Sequence, residues 1–401
     1  MQPLFITKSR RSLQPRNHQC RPPSYFGMRI AQIAPLIESV PPQGYGGTER
    51  IVSYLTEQLV RLGHEVTLFA SADSHSSARI VPCAERALRL DETVETSVPH
   101  TLVMLERVRR RAGQFDMMHF HIDLLHFPIF RRLAKRTVTT LHGRLDLPDL
   151  LPFYREFAEM PLVSISDAQR APMPPVAWAG TVHHGIPADL CLPKQRPSGD
   201  YLAFLGRISP EKRVDRAIEI ALGAGLPLKI AAKIDKVDRE YHRRQIESLL
   251  DHPLVSYVGE VGDEEKSEFL GNARALLFPI DWPEPFGLVL IEAMACGTPV
   301  IAYPHGAVPE IVEHGVTGFI VESIGGAIEA VAAAGALDRA RIRHCFERRF
   351  TVERMAQDYL AIYRGLLEDS RGKRLPQPPD PMPRRLSDLG HAEGEPPPHA
   401  E

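Results

Sequence analysis

FPIDWPEPFGLVLIEAMACGTPVIA, residues 278–302, decides how the rest of this chain is read. It holds a strand end at Phe278, a loop carrying Glu284, a turn at Gly287 and a helix carrying Glu292, then a glycine stop at Gly297 and an apolar strand from Pro299 to Ala302. Two carboxylates therefore bracket a helix N-terminus. Behind Pro285, the unpaired backbone N–H groups of Phe286, Gly287 and Leu288, together with the helix dipole, favour an anion such as a phosphate there. Glu284 and Glu292, eight residues apart, reach hydroxyls on either side of that anion. An anion with hydroxyl-bearing groups on both sides has the outline of a nucleotide-sugar. The competing reading makes Glu284 a loop carboxylate and Glu292 a solvated helix position. Against it, Glu292 sits inside an otherwise apolar helix, LVLIEAMAC, where an unpaired charge is expensive to bury.

The segment resembles the E-x7-E signature of glycosyltransferase family 4, and the flanking AMACGTPVIA matches too. The resemblance implies a retaining enzyme of the GT-B fold that uses nucleotide-sugars. Such a chain is α/β, with two Rossmann-like parallel-sheet domains facing a cleft and a C-terminal helix that crosses back to the first domain.

Size and composition agree with two domains. A chain of 401 residues suits two units of middling size, and 43% hydrophobic with 24% charged residues is typical of folded protein. A formal charge of −2 leaves no global basic field for nucleic acid. Cys20, Cys83, Cys191, Cys296 and Cys345 are scattered, with no CxxC pair, which argues against a zinc site or disulfide frame and for a reducing compartment such as the cytoplasm. No apolar run is long enough to cross a bilayer, so membrane contact is expected to be peripheral at most.

Between the ends, short apolar runs alternate with helical patterns, the signature of parallel sheets with crossover helices. Residues 1–27 are basic and proline-bearing and read as a disordered extension; Met28 opens MRIAQIAP and reads as a natural start, with a transit peptide as the competing reading. Residues 28–180 form the first, acceptor-side domain, with strands at Arg29–Ala34, Glu65–Ala70, Phe115–Phe120, Arg136–Leu141 and Leu162–Ile165. The pattern restarts in residues 181–350, the donor domain, after a boundary at Gly180–Leu192 around HHGIP. Its strands lie in YLAFLGR, LPLKIAA, PLVSYVG, ARALLFP and TPVIAY, with helices at REYHRRQIESLL and EEKSEFLGNA. Residues 351–369 are the helix that the resemblance sends back to the first domain, and 370–401 are a proline-rich, disordered tail.

Four further places carry chemistry. In GRISPEK, Gly206 and Arg207 end a strand and Lys212 follows, so two cations can converge on one diphosphate. An R-x4-K spacing alone more often marks a solvated face; this one stands at a strand end, upstream of the E-x7-E segment, in the order the family shows. GYGGT, Gly44–Thr48, lets backbone approach a ligand at Gly46, Gly47 and Thr48, against the simpler reading of a tight turn. It resembles the family's acceptor-side glycine loop. Glu49 stands where a GxGxxG motif needs its third glycine, which removes support for a nicotinamide cofactor.

HFHID places His119 and His121 at a strand end, on opposite faces or fanning into a loop, with Asp123 following and His126 and His142 nearby. His121 matches the family histidine that sits against the reacting sugar, His142 is the second candidate, and His119 reads as structural. A histidine cluster raises metal binding; the resemblance implies transfer without a metal. In PHGAVPEIVEHGVTGFIV, His305 and Gly306 replace the family's paired glycines, and Glu310 reads as structural.

Assembled, the resemblance implies transfer of a sugar from a nucleoside diphosphate to an acceptor hydroxyl. Arg207 and Lys212 take the departing diphosphate, Glu292 the ribose and Glu284 the hexose. No cofactor is expected, since the nucleotide-sugar is a substrate. The acceptor is a saccharide, a lipid-linked sugar or a small molecule, met by the loops Asp73–Ala78 and Arg144–Pro152, and the domains close about Gly185 to exclude water. The alternatives are a GT-B epimerase, hydrolase or glycan phosphorylase, and a non-catalytic nucleotide-sugar-binding protein.

Overall fold

A computed structural model describes residues 27–44, 46–194 and 196–372. The expectations for residues 1–26 and 373–401 lie outside them. Among the described residues thirteen strands form two all-parallel sheets. The first runs β3-β2-β1-β4-β5-β6-β7, from β1 (Arg29–Ile33), β2 (Glu65–Ser71), β3 (Arg79–Ala84), β4 (Met117–Phe120), β5 (Thr137–Thr140), β6 (Leu162–Ser164) and β7 (Trp178–Thr181). The second runs β10-β9-β8-β11-β12-β13, from β8 (Leu202–Arg207), β9 (Leu228–Lys233), β10 (Val255–Gly259), β11 (Ala275–Phe278), β12 (Val300–Ala302) and β13 (Gly318–Ile320).

Each sheet reverses its winding once, between β1 and β4 and between β8 and β11. Ligands of such sheets bind beyond the C-terminal strand ends at that reversal. The glycine loop follows β1, His121 follows β4, Arg207 ends β8 and Glu284 lies beyond β11. Strand order thus explains why motifs hundreds of residues apart share one cleft.

Central strands are buried on both faces, as parallel sheets flanked by helices require. β5, TVTT, is wholly buried, and its polar side chains find partners: Thr139 bonds His126 at 2.8 Å and Thr140 bonds His119 at 2.7 Å. The edge strands β3 and β7 are not among the strands that the sequence pattern predicts. RIVPCA carries a proline and is half-exposed, and WAGT has no alternation, so neither shows a core-strand pattern. The expected helix in REYHRRQIESLL is also irregular, passing from an α-turn at Arg239–Tyr241 through a wide π-turn at His242–Ile246 to a tight turn at Glu247–Leu249.

The chain crosses between the sheets twice, and the crossings lie side by side. Ile186 N–H donates to Phe350 O at 3.0 Å and Val352 N–H donates to Ile186 O at 3.0 Å. Gly185 is obligatory there, because a Cβ would fall 2.2 Å from Thr351 O. The last helix, Val352–Gly372, then packs on the first sheet, burying Met355, Ala356, Tyr359, Leu360 and Tyr363 in its core. At roughly 1.5–3 kcal/mol for each large apolar side chain, that burial fastens the helix to the domain opposite the one it follows. Among the described residues no helix is long and apolar enough to cross a membrane.

Candidate active site

The organising stretch folds as its residues dictate. β11 ends at Phe278, Gly287 takes φ 88° as the N-cap, the helix runs Leu288–Ala295, and Gly297 at φ 69° turns the chain back into β12. Gly306, at φ 60°, lies against the Glu284 backbone, where a Cβ would come within 2.2 Å of Glu284 O. Of the two loop positions His305 and Gly306, the second is therefore a required glycine. Ala307 N–H also donates to Glu284 O at 2.9 Å, so this loop holds Glu284 in place.

A cavity of about 640 Å³ opens between the two sheets. Gly46, Gly47, Thr48 and His142 line it from the first domain, and Gly206, Arg207, Lys212, Glu284 to Leu288, and Glu292 line it from the second. The sequence motifs are thus brought to one surface. Gly47 closely faces the helix N-terminus across the gap: a Cβ there would lie 3.6 Å from Leu288 Cδ1.

Both cations are held by carboxylates. Arg207 contacts Glu211 at 2.8 Å, Asp235 at 3.4 Å and Asp238 at 3.8 Å. Lys212 is paired with Glu284, which also accepts from Trp282 Nε1 at 3.0 Å, and its ammonium stands 5.2 Å from the Trp282 ring centre. Glu292 is not an unpaired buried charge: Lys266 Nζ lies 2.7 Å from its Oε1 and 3.0 Å from Asp263. Asp263 in turn pairs with Arg50 of the first domain, joining the two walls. Burial pulls the Lys266 ammonium down, but Glu292 and Asp263 outweigh that and hold it above the usual lysine value.

His121 stands one step behind the wall, with Nδ1 2.9 Å from His142 Nε2, and His142 lines the cavity instead. Of the two placements expected for His119 and His121, opposite faces is not what the fold gives: β4 ends at Phe120, His121 begins the loop after it, and the two rings lie 4.0 Å apart. Asp123 is not among the lining residues. His184, read only as part of the domain boundary, stacks on His142 at 5.3 Å and meets Phe286 at 4.9 Å. Burial holds all of these rings neutral, with His142 pushed down to about 3.

Glu310 accepts from Asp167 N–H at 2.8 Å and Ala168 N–H at 2.6 Å, bridging the domains as a structural carboxylate. Of the two loops expected to meet the acceptor, only the second reaches the cavity, through Arg144. Asp73 instead binds Ala87 N–H, and Ser76 and Ser77 bind Glu57. No group of three or more metal-ligating side chains occurs among the described residues.

Two family profiles cover the chain in succession: Glycosyltransferase Family 4 matches residues 45–191 and Glycosyl transferases group 1 matches residues 194–335. A D-inositol 3-phosphate glycosyltransferase of Mycobacterium leprae is 30% identical, over 82% of this chain and 90% of its own length. This chain belongs to glycosyltransferase family 4. Other family relatives are a phosphatidyl-myo-inositol mannosyltransferase of Mycolicibacterium smegmatis, 27% identical over 79% of this chain and 86% of its own, and an N-acetyl-alpha-D-glucosaminyl L-malate synthase of Bacillus anthracis, 24% identical over 82% and 97%. Among solved structures, sucrose-phosphate synthase of Thermosynechococcus elongatus superposes with TM-score 0.68 at 21% identity, covering 85% of this chain and all of that one. Anabaena HepE, solved with UDP and glucose, gives 0.64 at 18% identity, covering 84% and 100%. The two facing sheets are the GT-B architecture of this family, and the chain is a glycosyltransferase.

Proposed function

We propose that this glycosyltransferase moves a hexose from a nucleoside diphosphate to an acceptor hydroxyl with retention of anomeric configuration. The observation that carries this reading is the meeting of Arg207, Lys212, Glu284 and Glu292 on one cavity at the N-terminus of the Leu288–Ala295 helix. A diphosphate bound there exchanges the Lys212–Glu284 pair for a Lys212–phosphate contact and frees Glu284 for the sugar hydroxyls. Arg207 and the backbone donors from Phe286 to Leu288 take the remaining oxygens, where charge grows as the sugar–phosphate bond breaks. Glu292 takes the ribose diol.

No side chain in the cavity is an evident covalent nucleophile. The acceptor therefore attacks from the leaving-group face, and a phosphate oxygen takes its proton. No cofactor or metal enters this scheme. Among the lining side chains, His142, His184 and Arg144 are assigned to the acceptor. The relatives named for inositol phosphate and for malate make a polyol or hydroxy acid the first acceptors to try. The four described cysteines are unpaired, which supports a reducing, cytoplasmic setting, and with no membrane-crossing helix among the described residues any membrane contact in this reading is peripheral.

The test is incubation with labelled UDP-glucose and nucleoside diphosphate-mannose, each with inositol phosphate or malate. Sugar on the acceptor with unchanged anomeric configuration supports the proposal. Inverted product overturns retention, free or altered sugar points to a hydrolase or epimerase, and binding without turnover to a nucleotide-sugar-binding protein.

A further inference from the structure

We infer that Tyr363 of the last helix sets which ring nitrogen of His142 carries the proton, leaving Nδ1 bare, acting through Gln32 and His121; its bearing on turnover rests on the sugar-transfer reading above. Gln32, in β1, is fully buried, so both ends of its amide need partners. Its Nε2 faces the Tyr363 hydroxyl at 3.4 Å, and its Oε1 faces His121 Nε2 at 2.7 Å. The Tyr363 hydroxyl has one proton, and its shorter contact is to His119 Nδ1 at 2.7 Å. It donates there and accepts from the Gln32 amide, which turns Gln32 Oε1 toward His121.

The rest follows ring by ring. His121 donates from Nε2 to Gln32, so in a neutral ring Nδ1 is bare and accepts from His142 Nε2–H at 2.9 Å. His142 is then left with a bare Nδ1, for which no donor exists among the described residues. His142 lines the cavity, and a ring with Nδ1 bare accepts a hydrogen bond from a substrate hydroxyl there and cannot donate one. The other branch is anchored by His119 Nε2 on Thr140 Oγ1 at 2.7 Å and Thr140 on the Tyr359 hydroxyl at 2.9 Å. Tyr363, Gln32 and His121 are thus positioning residues. They explain why a helix that follows the second domain carries buried tyrosines into the histidines of the first. Without the Tyr363 hydroxyl the Gln32 amide can turn over, and the polarity of every bond as far as His142 becomes undetermined.

The experiment is a long-range proton–nitrogen correlation spectrum of the full chain labelled at the histidine ring nitrogens, with the His142 signals identified by their loss in His142→Asn. The expected wild-type result is one neutral His142 form protonated on Nε2, and in Tyr363→Phe a mixture of both neutral forms. Gln32→Met, which removes the amide at similar volume, is expected to give the same mixture should Tyr363→Phe fail to fold. A wild-type His142 protonated on Nδ1, or an unchanged spectrum in whichever variants fold, overturns the inference. Where the wild type transfers sugar, Tyr363→Phe lowers kcat about three- to tenfold with the donor KM little changed. Equal kcat in a variant with mixed forms overturns the link to turnover. The nitrogen spectrum needs no substrate, so failure of the relay and failure of the transfer reading are told apart.

Discussion

Lys266 Nζ lies 2.7 Å from Glu292 Oε1, with side chains only 10% and 6% exposed, so the second carboxylate of the E-x7-E segment is neutralised by the protein itself. Glu292 is therefore paired with and aimed by a cation on the helix Asp263–Gly271, which is fastened to the first domain through Asp263 and Arg50.

Removing one partner of a buried pair strands the other, at about 3–5 kcal/mol. Lys266→Met is expected to lower urea stability by that order and to raise the donor KM. The double variant Lys266→Met with Glu292→Met recovers most of the stability but not the donor affinity. Urea titration with an unchanged m-value checks the first and initial-rate kinetics the second.

Gly306→Ala places a Cβ against the Glu284 backbone at a left-handed φ. Strain of about 1–3 kcal/mol should appear as a lowered thermal midpoint. Because Glu284 moves, turnover should fall by more than tenfold even at temperatures where the variant is fully folded. Full activity in Gly306→Ala would show that the loop does not set the Glu284 position.

Trp282→Phe removes the 3.0 Å donor to Glu284 while keeping an aromatic face near Lys212. A lost hydrogen bond of about 0.5–1.5 kcal/mol predicts a roughly two- to tenfold lower kcat with little change in stability. Steady-state rates with saturating donor read this directly.

The buried histidines make stability depend on acid. Burial foremost, and neighbouring rings after it, holds His119, His121 and His184 well below the ordinary histidine range, and burial alone holds His142 at about 3. The unfolded chain protonates these rings near pH 6.5, so from about pH 6.5 down toward pH 3 it binds more protons than the folded chain. Stability is then greatest above that window and falls through it, by up to about 1.4 kcal/mol per pH unit for each ring. Urea midpoints at about pH 7.5 and about pH 5 should show the drop, and His184→Asn should make it shallower.

The cleft was legible where its chemistry is local. Glycine turns, strand ends and the order of Arg207, Lys212, Glu284 and Glu292 are written within short stretches, and parallel winding brings strand ends to one edge. Lys266 was not legible, because in EEKSEFLGNA it is one charge among several on a helix whose docking face depends on the far-off Leu288–Ala295 helix. His184 was obscured for a similar reason: its value comes from stacking on His142, 42 positions earlier in the chain. The position of His121 behind His142 depends on how β4 and β5 pair, with His119 beside Val138, a register that composition does not display.

Sugar transfer in this cavity requires first that Arg207 and Lys212 grip a diphosphate there. Calorimetric titration of the folded wild type, Arg207→Met and Lys212→Met with nucleoside diphosphates tests it most directly. The expected result is binding to the wild type and at least about tenfold weaker binding to each variant, the loss of a charge-assisted contact. Variants that bind as tightly as the wild type, or a wild type that binds no nucleoside diphosphate, would contradict it.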